Sequence, residues 1–185
     1  MKDRSHVDSP FSGKIVGILL AVALFSFGAI MVLAGWAPEL RDRNVAGAHP
    51  FSTGTDQCLV HNGSLSNHRS LRRMLEPKGI RFSTDNDSEV AAGYLSWKLQ
   101  EGATLAEALE ASLDDLDGFF TFVVGTESGF AVLRDPVSCK PAVMAETNDY
   151  VAFGSEYRAL AGLPGIQNAR VFEPEPARVY AWERN

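Results

Sequence analysis

The chain has 185 residues, a formal net charge of -6 and a sequence pI near 5.2. This length suffices for one ordinary domain with its own core, and the acidic balance argues against nucleic acid as a partner, because nucleic-acid binding requires a basic face. The four His and two Cys show neither a CxxC nor an HExxH spacing, so we expect no metal and no other cofactor.

An uncharged, apolar run over residues 15–38 is the first element in chain order. It is long enough to cross a bilayer and apolar on every face, so it predicts a transmembrane helix. Residues 1–14 then form a polar N-terminal tail and residues 39–45 a charged linker. The flanking Lys and Arg give a slight preference for a cytoplasmic N-terminus, and we expect a single-pass membrane protein. A secretory signal with cleavage near Ala34 is the alternative.

Residues 46–185 have a different pattern, in which helices come mostly before strands. Apolar spacing and turn residues predict helices over 68–79, 85–102, 104–116 and 155–160, the first after a cap at Ser66 or Asn67. Strands are predicted over 57–60, 80–84, 118–126, 129–135, 140–147 and 149–155, with two more within 169–183. This order predicts an α+β fold with helices layered against antiparallel sheet.

Asn62-Gly63, directly after the first of these strands, is the first motif that could carry chemistry. An Asn side-chain amide and a Gly backbone N–H are donors suited to an oxyanion that develops during acyl transfer. A plain Asn-Gly turn explains the same two residues.

Two further motifs lie on the predicted helix and strand ends. Asp87, in "NDSE", could hold the ammonium group of a ligand, although helix capping also explains acidic and hydroxyl residues at a helix start. Arg134 and Asp135, in "LRDPVSCKP", are expected to be surface charges of a hairpin loop.

Taken together, the segments "AHPFSTG", "LVHNGSLSN", "DNDSEV", "DGFFTFVV", "LRDPVSCKP" and "GSEYRAL" resemble the glutaminase domain of class II glutamine amidotransferases, which are N-terminal-nucleophile hydrolases. The resemblance covers residues 46–185 and is closest to the amidotransferase subunit of glutamate synthase-like and N-methylglutamate synthase-like systems. It implies an αββα sandwich that hydrolyses glutamine to glutamate and passes ammonia to a partner synthase subunit. Family members are cytoplasmic.

The same resemblance assigns roles to individual residues. Asn62 and Gly63 match the oxyanion-hole pair, and Asp87 matches the carboxylate that binds the α-ammonium group of glutamine. The segment 49–51 matches the stretch that leads into the HNG strand and receives no catalytic role.

The chain also departs from the family pattern. The family uses an N-terminal Cys as nucleophile and an Arg, before the segment matching 49–51, to grip the substrate carboxylate. Neither matches a residue here, and Cys58 and Cys139 are expected to be structural thiols. We therefore expect an incomplete domain with an uncovered sheet edge and no glutaminase activity. The alternatives are a domain active through a partner, a non-catalytic, membrane-tethered glutamine-binding module, and a truncated or chimeric reading frame without function.

Overall fold

The computed structural model describes residues 49–52, 57–127 and 129–183, together with the backbone of three short strands earlier in the chain. These strands are β1 (Leu19–Leu20), β2 (Val22–Leu24) and β3 (Phe27–Ala29). The remaining residues of the predicted tail, apolar run and linker lie outside the described part of the chain.

Of the run predicted as a transmembrane helix over residues 15–38, eight residues are described, and they form short strands. Leu19–Leu20 pairs in parallel with residues 152–153, and β2 pairs with β3 in antiparallel fashion. Within the described ranges, no helix is long and apolar enough to cross a membrane. An apolar run can satisfy its backbone groups on a neighbouring strand as well as within a helix, and apolarity alone does not separate the two outcomes. The membrane location stays a prediction.

The domain begins with a strand and three helices: β4 (Cys58–Leu65), α1 (His68–Leu75), α2 (Asp87–Gln100) and α3 (Leu105–Asp115). A 3-10 turn, Glu76–Lys78, extends α1. Two hairpins follow, made of β5 (Gly118–Gly125), β6 (Gly129–Arg134), β7 (Val143–Glu146) and β8 (Val151–Gly154). The chain continues through α4 (Tyr157–Leu160), the 3-10 turn Ile166–Asn168, β9 (Arg170–Phe172) and β10 (Val179–Glu183).

The described strands form two four-stranded sheets, and β2 and β3 form a separate two-stranded one. One has the order β10-β6-β5-β4 and is antiparallel throughout; the other has the order β1-β8-β7-β9. Although β9 and β10 are consecutive, they belong to different sheets. Strand β4 lies at one end of its sheet, and among the described residues its outer side pairs locally, through a bridge between Phe51 and Leu59. This outer edge positions the candidate site.

Alternating side chains on strands β4 to β8 build three apolar layers, as expected for strands buried on both faces. On β5, Phe122 packs toward α1, α2 and α3, whereas Val123 faces the second sheet. On β8, Phe153 joins the core between the sheets, whereas Ala152 packs toward α4. Helices, first sheet, second sheet and α4 therefore stack in the order αββα. The predicted layering of helices on antiparallel sheet is confirmed.

The helices predicted from the sequence are present, whereas the side-chain cap predicted before the first helix and the strand predicted after it are not. Gly79, with φ +90°, ends the first helix, and Thr104 caps α3 through a reciprocal capping box with Glu107. Asn67 precedes α1 without a side-chain cap, since its amide bonds to residues 115 and 117 instead. The strand predicted over 80–84 is a loop, because the Glu89 carboxylate takes up the backbone N–H groups of residues 83 and 84.

Candidate functional site

Asn62 and Gly63 lie inside strand β4, so the explanation of this pair as a plain turn is wrong. Asn62 is opposite Thr121 of β5, and Gly63 is opposite Phe120. The strand predicted to end at residue 60 continues to Leu65. Pairing with β5, which the local sequence does not reveal, extends the strand through the motif.

The backbone N–H of Gly63 points away from β5, toward the outer edge of β4. Leu59 exchanges both backbone hydrogen bonds with Phe51 on that side, at 2.9 and 2.8 Å. Backbone groups alternate sides along an antiparallel strand, so residues 59, 61, 63 and 65 all face outward. The bonds of Phe120, which is opposite Gly63 on β5, support this direction. Its N–H and C=O bond to Asp135 on the far side of β5, and not to Gly63. Gly63 thus presents a donor at the strand edge.

Gly63 is required here by close packing. A Cβ atom at this position would lie 2.0 Å from the carbonyl oxygen of Phe119 and 2.7 Å from the Cα of Phe120. Both are backbone atoms of the paired strand, so they cannot move aside as a side chain would. The glycine therefore allows β4 and β5 to approach at the motif.

The Asn62 side chain belongs to the face of β4 that looks toward the second sheet. It shares this face with Val60, a residue of the core between the sheets. Asn62 is half-buried, and its amide forms no hydrogen bond with the rest of the described residues. The Asn62 amide on this face and the Gly63 N–H at the outer edge belong to neighbouring residues of β4, so the two donors lie near each other.

Asp87 is the first residue of α2, but capping does not occupy its carboxylate. The N-cap is Asn86, whose side-chain oxygen accepts the N–H of Ser88 at 2.8 Å. The Asp87 carboxylate instead crosses to β4, where Oδ2 accepts the backbone N–H of Leu65 at 2.9 Å. Its side chain is 22% exposed. The capping explanation therefore applies to Asn86, and Asp87 lies at the outer edge of β4.

The Gly63 N–H and the Asp87 carboxylate both lie along the outer edge of β4. The outward N–H groups of Gly63 and Leu65 are two residues apart, which is about 7 Å along a strand. The Gly63 N–H faces outward, and the Leu65 N–H is bound by the Asp87 carboxylate. The edge thus has an outward N–H donor and a carboxylate separated by approximately the length of an extended amino-acid side chain.

Three residues near Asp87 were missed by the sequence analysis: His49, His61 and Ser88. The Ser88 hydroxyl lies 2.9 Å from Nε2 of His49 and 3.0 Å from Nδ1 of His61. His61 Nδ1 is also 3.8 Å from Oδ1 of Asp87. His61 and Ser88 stand directly beside the motif residues, which was the only signal in the sequence. Their contact comes from packing the start of α2 against β4.

Burial governs the charge of both histidines. Desolvation lowers the pKa of His61 to about 4, although the nearby Asp87 carboxylate acts in the opposite direction. Desolvation also lowers the pKa of His49, again against Asp87. Both imidazoles are therefore neutral at physiological pH, and the Asp87 carboxylate is the anion of this cluster.

Arg134 and Asp135 are not the surface charges predicted for a hairpin loop. Their exposed fractions are 6% and 0%. The guanidinium donates to the carbonyl oxygens of residues 138, 140 and 174, and the carboxylate accepts the N–H groups of residues 120, 137 and 138. A buried charge is tolerated when it satisfies backbone groups in this way, and here the pair shapes the loop after β6.

The cysteines and the acidic residues show no further reactive cluster in the described ranges. Cys58 is half-buried at the start of β4, Cys139 is exposed in the loop after β6, and the two do not form a disulfide. Among residues 49–52, 57–127 and 129–183, no group of three or more His, Cys, Asp or Glu could hold a metal ion. A cleft of about 770 Å³ beside β9 and β10 is lined by other residues, including Arg170 and Tyr180, and lies apart from the candidate site.

Sequence comparison identifies the family. The family model described as "Glutamine amidotransferase domain" matches residues 39–162. Over 137 residues the chain is 69% identical to the glutamine amidotransferase-like protein GlxB of Rhizobium meliloti (strain 1021), which covers 74% of this chain and 46% of that protein. It is 35% identical over 107 residues to the amidophosphoribosyltransferase of Archaeoglobus fulgidus, covering 58% of this chain and 23% of that protein.

Structural comparison agrees with the sequence comparison. The glutamine phosphoribosylpyrophosphate amidotransferase from B. subtilis, solved with ADP and GMP, superposes with a TM-score of 0.56 at 26% identity. The alignment covers 73% of this chain and 31% of that protein. The chain spans about half the length of GlxB and less of the other two proteins. With a family model matching most of its length and a relative at 69% identity, the chain belongs to the glutamine amidotransferase family.

Proposed function

We propose that this chain binds L-glutamine along the outer edge of β4. The α-ammonium group is held by the Asp87 carboxylate, and the side-chain carbonyl oxygen accepts hydrogen bonds from the N–H of Gly63 and the amide of Asn62. The observation that carries the proposal is the outward N–H of Gly63, two residues along the same edge from the N–H that Asp87 binds.

The spacing favours glutamine over shorter amino acids. Two strand residues correspond to about 7 Å, which is comparable to the length of an extended glutamine from its ammonium group to its side-chain amide. Asparagine lacks one methylene and cannot reach both positions at once. We expect it to bind at least about tenfold more weakly, as is usual for one missing methylene.

We also propose that this chain by itself does not hydrolyse glutamine. Amide hydrolysis of this kind requires an activated nucleophile beside the oxyanion donors. Cys58 lies at the start of β4, opposite Gly125 of β5 and four residues before Asn62, and Cys139 is in the exposed loop after β6, so neither thiol suits that position. Hydrolysis, with delivery of ammonia to a partner synthase, would need a nucleophile from outside these residues.

Calorimetric titration of the full chain with L-glutamine tests the binding site. The decisive variant is Asp87→Asn, which removes the charge but keeps an oxygen for the N–H of Leu65. We expect its affinity to fall at least about tenfold, equivalent to about 1.4 kcal/mol. Asp85→Asn is the matched control, because Asp85 is exposed, lies two residues earlier and carries the same charge. We expect its affinity to equal that of the unchanged chain.

Three results would contradict the proposal. The first is an unchanged chain that shows no heat of binding with L-glutamine. The second is equal affinity for Asp87→Asn and Asp85→Asn, provided that circular dichroism shows both folded. The third is release of glutamate and ammonia from glutamine by the purified chain alone, which would show that it carries its own nucleophile.

A further inference from the structure

Ser88 connects three groups around the proposed ammonium site. It is the second residue of α2 and is 4% exposed. Its hydroxyl lies 2.9 Å from Nε2 of His49, 3.0 Å from Nδ1 of His61 and 3.4 Å from Oδ1 of Asp87. A hydroxyl has one proton to donate, so only one of the three can receive it.

The buried ring of His61 determines the direction of these hydrogen bonds. Its Nε2 is buried and has no hydrogen-bond partner within the described part of the chain. A proton on Nε2 would therefore be an unpaired buried donor, whereas a proton on Nδ1 reaches the Ser88 oxygen and lies near the Asp87 carboxylate. His61 thus donates from Nδ1 to Ser88.

Ser88 then donates its own proton to His49. The distance to Nε2 of His49 is shorter than the distance to Oδ1 of Asp87, 2.9 against 3.4 Å. Oδ2 of Asp87 is already bound to the N–H of Leu65. This arrangement leaves Oδ1 as the carboxylate oxygen available to a ligand.

We propose that Ser88 is a positioning residue for glutamine binding, which holds the first turn of α2 between His61 and His49 so that Oδ1 of Asp87 stays directed at the edge of β4. This inference rests on the proposed function for its ligand. Its structural part, the fixed contact between Asp87 and Leu65, can be measured without any ligand.

Three variants test this role. Ser88→Ala removes the hydroxyl, Ser88→Thr keeps a hydroxyl on the same carbon, and Ser112→Ala is the matched control. Ser112 is also a fully buried helical serine, but its hydroxyl donates to the carbonyl oxygen of Leu109 in α3. The control therefore reproduces the loss of a buried hydroxyl away from the site.

Two measurements are made on each variant. The first is hydrogen exchange of the Leu65 amide by NMR, relative to amides of α3. We expect Ser88→Ala to accelerate this exchange about tenfold, with Ser88→Thr and Ser112→Ala within twofold of the unchanged chain. The second is calorimetric affinity for L-glutamine, which we expect to fall about tenfold in Ser88→Ala only. If Ser88→Ala loses protection of the Leu65 amide and glutamine affinity, and Ser88→Thr keeps both, Ser88 acts by positioning Asp87 and not through general destabilisation.

The inference is overturned if Ser88→Ala leaves both Leu65 exchange and glutamine affinity within twofold of the unchanged chain. It is also overturned if Ser112→Ala produces the same changes. If the unchanged chain does not bind glutamine, the proposed function fails, and Leu65 exchange still decides whether Ser88 holds Asp87. Asp87→Ala, which removes the acceptor of the Leu65 N–H, gives the reference for full loss of that contact.

Discussion

His61 uses its ring in three ways at the candidate site. Nδ1 bonds to Ser88, the ring packs edge-on against Phe122 with centroids 5.2 Å apart, and Nε2 is buried. Desolvation lowers the pKa of this imidazole to about 4 and keeps it neutral. A neutral ring does not compensate the negative charge of the Asp87 carboxylate, and this charge would attract the ammonium group of the proposed ligand.

The lowered pKa of His61 predicts a specific dependence of stability on pH. The ordinary pKa of 6.5 applies in the unfolded chain and a pKa of about 4 in the folded chain, so only the unfolded state binds this proton between these values. Stability therefore falls as the pH decreases from about 6.5 to about 4. We expect the His61 contribution to the free energy of unfolding to decrease by about 2 kcal/mol between pH 7 and pH 5.

Urea unfolding of the unchanged chain and of His61→Gln, at pH 7 and pH 5, measures this contribution. We expect the loss of stability to be smaller in His61→Gln by that amount. His68→Gln, which changes a half-buried histidine on α1, controls for the replacement of a histidine by glutamine elsewhere in the chain. Equal pH dependence in the unchanged chain and His61→Gln would show that His61 is protonated equally in both states.

At the scale of elements, the start of α2 directs three consecutive side chains to three different places. Asp87 reaches β4, Ser88 lies between two histidines, and Glu89 turns back to the preceding loop. Successive helical residues are about 100° apart, which is why neighbours in "DSE" contact separate parts of the fold. The motif therefore joins the helix, the strand edge and the loop at the candidate site.

Glu89 provides the prediction for this element. Its carboxylate is 7% exposed and accepts the backbone N–H groups of Ser83 and Thr84 at 2.7 and 2.8 Å. Glu89→Ala removes both acceptors, so we expect the free energy of unfolding to fall by about 2–3 kcal/mol in urea titrations. Glu89→Gln keeps an acceptor oxygen and should lose about half as much.

The control for this element is Glu101→Ala, at the exposed C-terminal end of α2, where we expect a change within about 0.5 kcal/mol. If Glu89→Ala were no less stable than Glu101→Ala, the loop over 83–84 would not depend on the carboxylate.

At the scale of the whole molecule, two sheets divide the apolar interior into three layers. The layer between the sheets joins residues of both, among them Val132 from β6 and Met144 from β7. Because each sheet is buried on both faces, loss of packing between them exposes both sheets at once. We therefore expect the two four-stranded sheets to unfold as a unit.

Met144→Ala tests the core between the sheets. Met144 is fully buried, and its truncation leaves a cavity between two sheets that cannot easily collapse. We expect a loss of about 3 kcal/mol in urea unfolding, with one transition seen by both fluorescence and circular dichroism. Val137→Ala, at a side chain that is 71% exposed, should stay within about 0.5 kcal/mol. Two separate transitions would mean that the sheets unfold independently.

Much of the fold could be predicted from sequence because the signals are local. The capping box at Thr104, the left-handed Gly79 and the two hairpins all lie within a few residues of the structure that they define. Asn62, Gly63 and Asp87 were singled out from a motif, and the structure brings Gly63 and Asp87 to one strand edge, while their roles stay a prediction. The segment 80–84 was predicted wrongly as a strand, because the Glu89 side chain, and not a neighbouring strand, accepts the N–H groups of residues 83 and 84.

The sequence by itself thus determined the family, the helices and the identity of the motif residues. Only the tertiary structure decided that Asn62-Gly63 is a strand edge rather than a turn, that Arg134 and Asp135 are buried, and that His49 and His61 meet at Ser88. The physical reason is the distance along the chain: these outcomes depend on hydrogen bonds between segments far apart in sequence, and no local pattern encodes such a bond.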